Sequence, residues 1–261
     1  MTNELPYDFM KAEKSAARLL SGYGVESPEH IRLEDMAYDL GIRIVEGPLK
    51  GAAARLLRYG KNATIRVSDS EKYSTRKRFS VAHELGHFML HHGHFIEFSC
   101  SDFDMHDWYQ AEGNERIANA FAGELLLPRF LVEKRCDVKE VNFGPIKAIA
   151  DEFQTSLTAT AIRFVRFCPE MCAAIFSMNS KVKWVYKSND FWPYIRIGKP
   201  LDKHTLAYYF FYGKTLPNDP EDVDAEAWLD SDRLGDLEEI VEHSIGFSRL
   251  GAVLTLIWIR P

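Results

Sequence analysis

Apolar residues recur at helical spacing near the start of the chain, and a strand-like alternation replaces this spacing further on. The pattern predicts helices at 7–23 and 31–40 and a strand at 42–45. Residues 52–57 and 63–67 then alternate as two short strands, with Tyr59-Gly60-Lys61-Asn62 as the turn between them. We therefore expect helices beside a small sheet in this part of the chain.

Two longer helical segments follow at 78–92 and 112–127, and a loop is predicted at 93–111 between them. The first segment is apolar around most of its circumference, so we expect it to be buried. Gly86 lies inside it, although glycine costs a helix about 1 kcal/mol relative to alanine. This position suggests that a neighbouring backbone approaches closely there. Pro128 ends the second segment.

The second half of the chain changes from helical to strand-like patterns. Helical patterns at 146–153 and 158–167 form a helix-turn-helix-like segment at 145–167. Beyond Pro169, strands are predicted at 173–178, 181–187, 194–197 and 253–259, whereas 205–212 is ambiguous. The sequence thus predicts an α+β protein, with one domain at 1–168 and a second α+β domain of open role at 169–261.

Composition restricts the function classes. With 261 residues, of which 46% are hydrophobic, the chain can bury one large core or two modest ones. The formal net charge is -6, and the basic residues of 145–167 are offset by acidic ones, which disfavours direct DNA binding. No secretory signal is visible, and the longest apolar stretch, 250–259, is too short for a bilayer. We expect no membrane partner and a cytoplasmic location.

Two further patterns support no strong assignment. The four cysteines lack the paired spacing of a structural zinc site: they are Cys100, Cys136, Cys168 and Cys172. Residues 219–242 contain eleven acidic residues against one basic residue, Arg233. We expect a solvated acidic surface there, and the alternative is that this surface attracts a basic DNA-binding partner.

The strongest chemical signal is the segment His83-Glu84-Leu85-Gly86-His87, an H-E-x-x-H motif within the predicted helix 78–92. Histidines four residues apart project from one face of a helix, so both imidazoles can bind one Zn²⁺. Glu84 lies beside that face, where it can take a proton from water on the metal. The motif indicates a zinc-dependent hydrolase, most simply a peptidase.

A catalytic zinc usually takes three protein ligands, so a third is needed. The metzincin pattern would require glycine at position 90 and histidine at 93, where this chain has Leu90 and Gly93, and that class is excluded. His91 lies on the same side of the helix as the motif histidines, but about 12 Å beyond His83. We therefore expect His91 to orient another group or to cap the helix.

The segment 112–127 supplies the better candidates for the third ligand. Glu115 lies near its start and could approach a metal bound to the earlier helix, with Glu124 and Glu112 as weaker competitors. Asn119 shares the face of Glu115 and could hydrogen-bond a ligand imidazole. An ordinary solvated carboxylate remains the alternative for all three glutamates.

At these residues the chain resembles the ImmA/IrrE family of zinc peptidases. The resemblance covers about residues 25–166 and rests on two stretches in the same order, Arg78–His87 and Glu115–Pro128. It implies a zincin-like minimal metallopeptidase domain with a small mixed sheet, in which one Zn²⁺ is bound by His83, His87 and Glu115 and Glu84 is the general base. Family members with known roles cut a repressor that carries a helix-turn-helix DNA-binding domain, which derepresses stress or mobile-element genes.

A strand beside a zincin cleft commonly receives an extended peptide by strand addition. The predicted strand 63–67 is near the metal helix in sequence, so Ala63, Ile65 and Val67 are candidate substrate-binding residues. An ordinary edge strand is the alternative.

Two functions from different classes follow. The first is a zinc endopeptidase that cleaves a helix-turn-helix repressor in trans. The second is a non-catalytic module that sequesters a repressor or another protein, with zinc serving the structure alone. Glu84 favours the enzyme, because a structural zinc site needs no base and prefers four protein ligands.

Overall fold

The computed structural model describes residues 7–59, 62–91, 95–100, 113–230, 234, 235 and 237–260. They form two compact units. The first contains the described residues up to Leu131 together with 150–156, and the second contains 132–149 and the described residues from Leu157 onward. The predicted α+β class is confirmed.

The first unit combines helices with a small mixed sheet. Its elements are α1 (Tyr7–Gly22), α2 (Leu33–Asp39), β1 (Ile42–Gly47), β2 (Ala54–Tyr59), β3 (Asn62–Ser68), α3 (Ser74–Leu90), β4 (Phe95–Cys100) and α4 (Gly113–Leu126), and α5 (Arg129–Val132) follows. Among the described strands the order is β1-β3-β2-β4, with β1 parallel to β3 and the other pairs antiparallel. The predicted hairpin is present as β2 and β3, and its turn residues 60 and 61 lie outside the described residues.

Strand β3 is an interior strand, which corrects the predicted role of Ala63, Ile65 and Val67. Its main chain pairs with β1 on one side and with β2 on the other, so it cannot receive a substrate strand. The three side chains are also buried. Among the described strands the edges are β1 and β4, and β4 lies where we had expected only a loop.

Helix α3 approaches α4 very closely at Gly86. A Cβ atom at Gly86 would lie 3.1 Å from the carbonyl oxygen of Ala118 and 3.2 Å from the Cβ of Phe121. These distances are shorter than ordinary van der Waals contacts, so a side chain at this position would push α4 away by a few tenths of an ångström, which accounts for the glycine within a helix. The consecutive residues 79–87 of α3 are all buried, so the helix runs through the interior of the unit. The contact brings the motif of α3 beside the first turns of α4.

The second unit is built on an antiparallel sheet. Its elements are α6 (Phe143–Phe153, of which 143–149 belong to this unit), α7 (Leu157–Phe167), β5 (Cys172–Met178), β6 (Lys181–Lys187), α8 (Leu206–Phe211), β7 (Glu221–Asp224), α9 (Ala225–Trp228), β8 (Glu239–Phe247) and β9 (Ala252–Trp258). The order of the described strands is β6-β5-β9-β8-β7. Helix α7 packs on β5 and β6, and α8 packs on β8.

The strand predictions for this unit need correction, because one predicted strand is absent and two observed strands, β7 and β8, were not predicted. Residues 194–197 are not a strand, because the segment lies between Pro193 and Pro200 and turns back so that the Gly198 N–H donates to the carbonyl oxygen of Val182. Strand β8 was not predicted, because its sequence overlaps the acidic stretch 219–242.

The residues 132–149 and 157–167, which we expected in the first domain, belong to the second compact unit. A domain boundary near residue 168 stays a prediction.

Glu242 of β8 is fully buried in the second unit and is surrounded by donors. The backbone N–H groups of Leu206 and Ala207 donate to its carboxylate at 2.9 and 2.7 Å. The Trp228 Nε1–H and the Ser244 hydroxyl donate at 2.7 and 2.8 Å. Burial raises the pKa of Glu242, whereas these four donors favour its ionised form. The carboxylate thereby ties α8 and α9 to the sheet.

No helix among the described residues is long and apolar enough to cross a membrane.

We expect Gly86→Ala to lower the free energy of unfolding by about 1–2 kcal/mol. Overpacking a tight contact costs about 1–3 kcal/mol, and the better helix propensity of alanine returns about 1 kcal/mol of it. Urea denaturation measures the difference. Gly22→Ala is the control, because its Cβ would meet no atom within 4 Å. Equal or greater stability of Gly86→Ala would show that the two helices can separate without cost.

We expect Glu242→Gln to destabilise the protein by about 2–4 kcal/mol, because the new amide group places a donor against donors in a buried site. Glu239→Gln, on an exposed residue of the same strand, should leave the urea midpoint unchanged. If the two variants unfold alike, the buried carboxylate does not stabilise the sheet.

Candidate metal centre

The two motif histidines lie one turn apart on α3 and face the same point. His83 and His87 are 1% and 0% exposed, and their Nε2 atoms are 3.0 Å apart. Two ring nitrogens this close must share a proton or a cation, because two lone pairs would otherwise repel one another.

Glu115, in the first turn of α4, completes a triangle with the two histidines. Its Oε2 lies 3.0 Å from His83 Nε2 and its Oε1 lies 3.2 Å from His87 Nε2. Its side chain is about one-third exposed, so the group opens towards solvent on this side. The competing carboxylate of Glu124 lies elsewhere, since it accepts a hydrogen bond from the backbone N–H of Arg129 at 3.1 Å. Glu112 lies outside the described residues.

The donor set fits a divalent metal ion. Among the described residues, His83, His87 and Glu115 are the group of side chains whose ligand atoms converge closely enough to bind one. Zinc bonds of about 2.0–2.1 Å in a tetrahedral arrangement separate neighbouring ligand atoms by about 3.3 Å. The observed separations of 3.0 to 3.2 Å are close to that value. Two imidazoles and one carboxylate are also a usual ligand set of catalytic zinc, with the fourth position open.

Asn119, one turn after Glu115 on α4, fixes the orientation of His83. Its Oδ1 lies 2.8 Å from His83 Nδ1, which is the contact that the sequence suggested. When the amide oxygen faces the ring, Nδ1–H donates and the Nε2 lone pair points at the triangle. Asn119 is buried, so this hydrogen bond is shielded from water.

The protonation equilibria of the triangle are strongly shifted. Burial lowers the pKa of His87 to about 4, which keeps this ring neutral at pH 7. Burial also opposes the charged form of His83, but its hydrogen bond to Glu115 and the nearby carboxylates outweigh burial and raise its pKa. Although burial works against it, the two histidines hold the pKa of Glu115 well below its usual range. The triangle therefore stabilises a positive charge, which a metal ion can supply in place of a proton.

Glu84 is fully buried next to the triangle. Among the described residues, no donor makes a well-formed hydrogen bond to either of its carboxylate oxygens. Burial raises its pKa to about 7, although the charge of His83 and the backbone of Leu56 work in the opposite direction. A carboxyl group with a pKa near 7 can both accept and donate a proton at neutral pH.

Sequence reasoning left two parts of this site undefined. The backbone of Leu56 and the charge of Arg55, both on β2, act on Glu84 and lower its pKa. A strand 28 residues before the motif gives no local signal of that proximity. His91 was assigned only a general orienting or capping role, and the structure places its Nδ1 3.1 Å from Nδ1 of His87.

Comparison with known proteins connects this geometry to a family. Residues 37–165, which include both helices of the site, match the model of peptidase family M78, described as the IrrE N-terminal-like domain. A solved structure of a Mycobacterium tuberculosis transcriptional regulator has a similar fold, with a TM-score of 0.58 and 13% sequence identity. That match covers 97% of this chain and 81% of the other, and at this identity it concerns the fold alone. A comparison with curated proteins gives no match.

We expect metal binding to depend on Glu115 and not on Glu124. Glu115→Gln removes the charged oxygen ligand from the triangle and should weaken the binding of a divalent ion, with the fold retained. Glu124→Gln is the matched control, because it keeps an oxygen that can accept from Arg129. Titration with Co²⁺ followed by visible absorption measures both affinities. Weak binding in Glu124→Gln combined with wild-type binding in Glu115→Gln would show that Glu124, and not Glu115, binds the metal.

Proposed function

We propose that the chain is a zinc-dependent endopeptidase of the IrrE N-terminal-like peptidase family, whose model matches residues 37–165. One Zn²⁺ per chain is bound by His83, His87 and Glu115, and Glu84 is the catalytic base. The observation that carries the proposal is the convergence of two imidazoles and one carboxylate beside a buried glutamate that lacks a well-formed hydrogen bond.

Each residue has a distinct task in peptide hydrolysis. A bound zinc ion supplies a Lewis acid and lowers the pKa of a water molecule in its open position towards 7. Glu84 accepts the proton of the attacking water on a carboxylate oxygen and later delivers it to the nitrogen of the leaving amine. Its pKa of about 7 suits both transfers. Asn119 keeps the His83 proton on Nδ1, so that Nε2 stays available as a ligand.

Substrate binding is assigned to the edge of the sheet nearest Glu84. Leu56, whose backbone acts on Glu84, pairs with Phe98 of β4, and β4 is an edge among the described strands. An extended peptide could add to this edge through main-chain hydrogen bonds. We therefore replace the predicted dock on β3 by β4.

A helix-turn-helix repressor is the proposed substrate, cleaved in trans in the cytoplasm, which would derepress stress or mobile-element genes. This step rests on the family resemblance, which makes a helix-turn-helix repressor the first substrate to test. Direct binding of this chain to DNA is not part of the proposal. Arg163, one of the basic residues of 145–167, is 4% exposed, so it cannot contribute to a basic face on the surface.

We expect Glu84→Gln to retain zinc but to cleave the repressor about 10²- to 10⁴-fold more slowly, which is the usual contribution of a positioned acid or base. The substitution preserves the shape of the side chain and all three ligands. A gel time course of repressor cleavage, with zinc quantified in both proteins, makes the measurement.

The outcomes separate the two functions. Cleavage by Glu84→Gln at the wild-type rate would show that Glu84 is not the base. If wild type and variant both bind the repressor and neither cleaves it, the non-catalytic sequestering module is the better account. The Glu140→Gln variant controls for unspecific effects of losing a carboxylate, since Glu140 is exposed in the second unit and lies outside the acidic stretch 219–242.

A further inference from the structure

His91 lies directly after α3, at the point where the helix ends. Its backbone N–H still donates to the carbonyl oxygen of His87 at 3.0 Å. Its side chain folds back onto the same residue, with the two rings 5.1 Å apart and the two Nδ1 atoms 3.1 Å apart. The motif histidine is therefore in contact with a third histidine on the side opposite to the triangle.

One proton must lie between these two Nδ1 atoms. Whether His87 can bind a metal depends on which of the two rings carries this proton. If His91 donates, the proton of neutral His87 is on Nε2 and points at Glu115, 3.2 Å away. If His91 accepts, the proton is on Nδ1 and Nε2 offers its lone pair to the triangle. Only the second arrangement leaves His87 a ligand.

If Glu115 were the only partner of His87, the first arrangement, with the proton on Nε2, would be favoured. A hydrogen bond to an ionised carboxylate is roughly twice as strong as one between neutral groups, so Glu115 draws the His87 proton towards Nε2. A well-placed acceptor at Nδ1 opposes that preference. His83 shows the same arrangement, because Asn119 places an acceptor 2.8 Å from its Nδ1.

We propose that His91 is a positioning residue that accepts the Nδ1 proton of His87 and thereby keeps its Nε2 free to bind zinc. His91 does not bind the metal itself, since among the described residues the converging ligand atoms belong to His83, His87 and Glu115. The inference rests on the proposed zinc site and extends it. In this arrangement His91 carries its own proton on Nε2, and both zinc-binding imidazoles have a fixed tautomer.

Three variants of the full-length chain test the proposal. His91→Leu removes the acceptor and keeps much of the volume, whereas His91→Asn retains an acceptor oxygen close to the position of Nδ1. His204→Leu is the control for loss of a surface histidine, because His204 is exposed and paired with Asp202. Zinc affinity is measured by competition with a chelating dye. Long-range ¹H–¹⁵N NMR spectra of the metal-free proteins report which nitrogen of His87 carries the proton.

We expect His91→Leu to bind zinc about 10- to 100-fold more weakly, the usual effect of losing the partner of a ligand histidine. In that variant the His87 proton should move from Nδ1 to Nε2. His91→Asn should restore both the affinity and the tautomer, and His204→Leu should match the wild type. A role in packing alone could change the affinity but would not produce rescue by asparagine or a change of tautomer.

Each remaining result contradicts one identifiable claim. Wild-type affinity in His91→Leu, or equal weakening by leucine and asparagine, overturns the positioning role. An Nε2 proton on His87 in the wild-type metal-free protein also overturns it, even if the leucine variant does not fold. Failure of the wild type to bind zinc while its His87 proton is on Nδ1 overturns the proposed function instead.

Discussion

The close approach of α3 to α4 at Gly86 is the contact on which the site depends. The two motif histidines come from α3, whereas Glu115 and Asn119 come from α4. The close packing of the two helices fits the separations of 3.0 to 3.2 Å between the histidine nitrogens of α3 and the Glu115 oxygens of α4. Glycine permits this approach, and its weak helix propensity is the local cost of the geometry.

Two fully buried glutamates, Glu242 and Glu84, differ in their surroundings, and the difference indicates which of them stabilises the fold and which can transfer a proton. Glu242 receives four hydrogen bonds, which compensate its desolvation and connect α8, α9 and the sheet. Glu84 receives no well-formed hydrogen bond from the described residues, and burial raises its pKa to about 7. A carboxylate held in this way destabilises the fold and is useful only where a proton must be moved. The contrast supports a structural role for Glu242 and a catalytic role for Glu84.

The elements that sequence reasoning could predict are those with a local signal. The helical periodicity around 83–87, the alternation of the hairpin and the carboxylate-asparagine spacing at 115 and 119 are each visible within one segment. Strand order is not local, and for that reason β3 was taken as an edge although β1 pairs with it in parallel. Strand β8 was hidden because its buried Glu242 counted as part of an acidic surface. The burial of Glu242 depends on hydrogen-bond donors of Leu206 and Trp228, which lie in other segments of the sequence.

The division of the ligands between two helices also decides what a bound metal would do for the fold. A third ligand from α3 itself is ruled out by distance, since His91 lies two turns beyond His83 and contacts His87 instead. A metal bound by His83, His87 and Glu115 would therefore connect α3 to the first turn of α4. Without a cation, Glu115 favours a proton on His83, whose pKa it raises, whereas burial keeps His87 neutral. A bound metal would replace that proton by bonds between the two helices, so metal affinity, the position of α4 and the protonation of His83 would form one linked equilibrium.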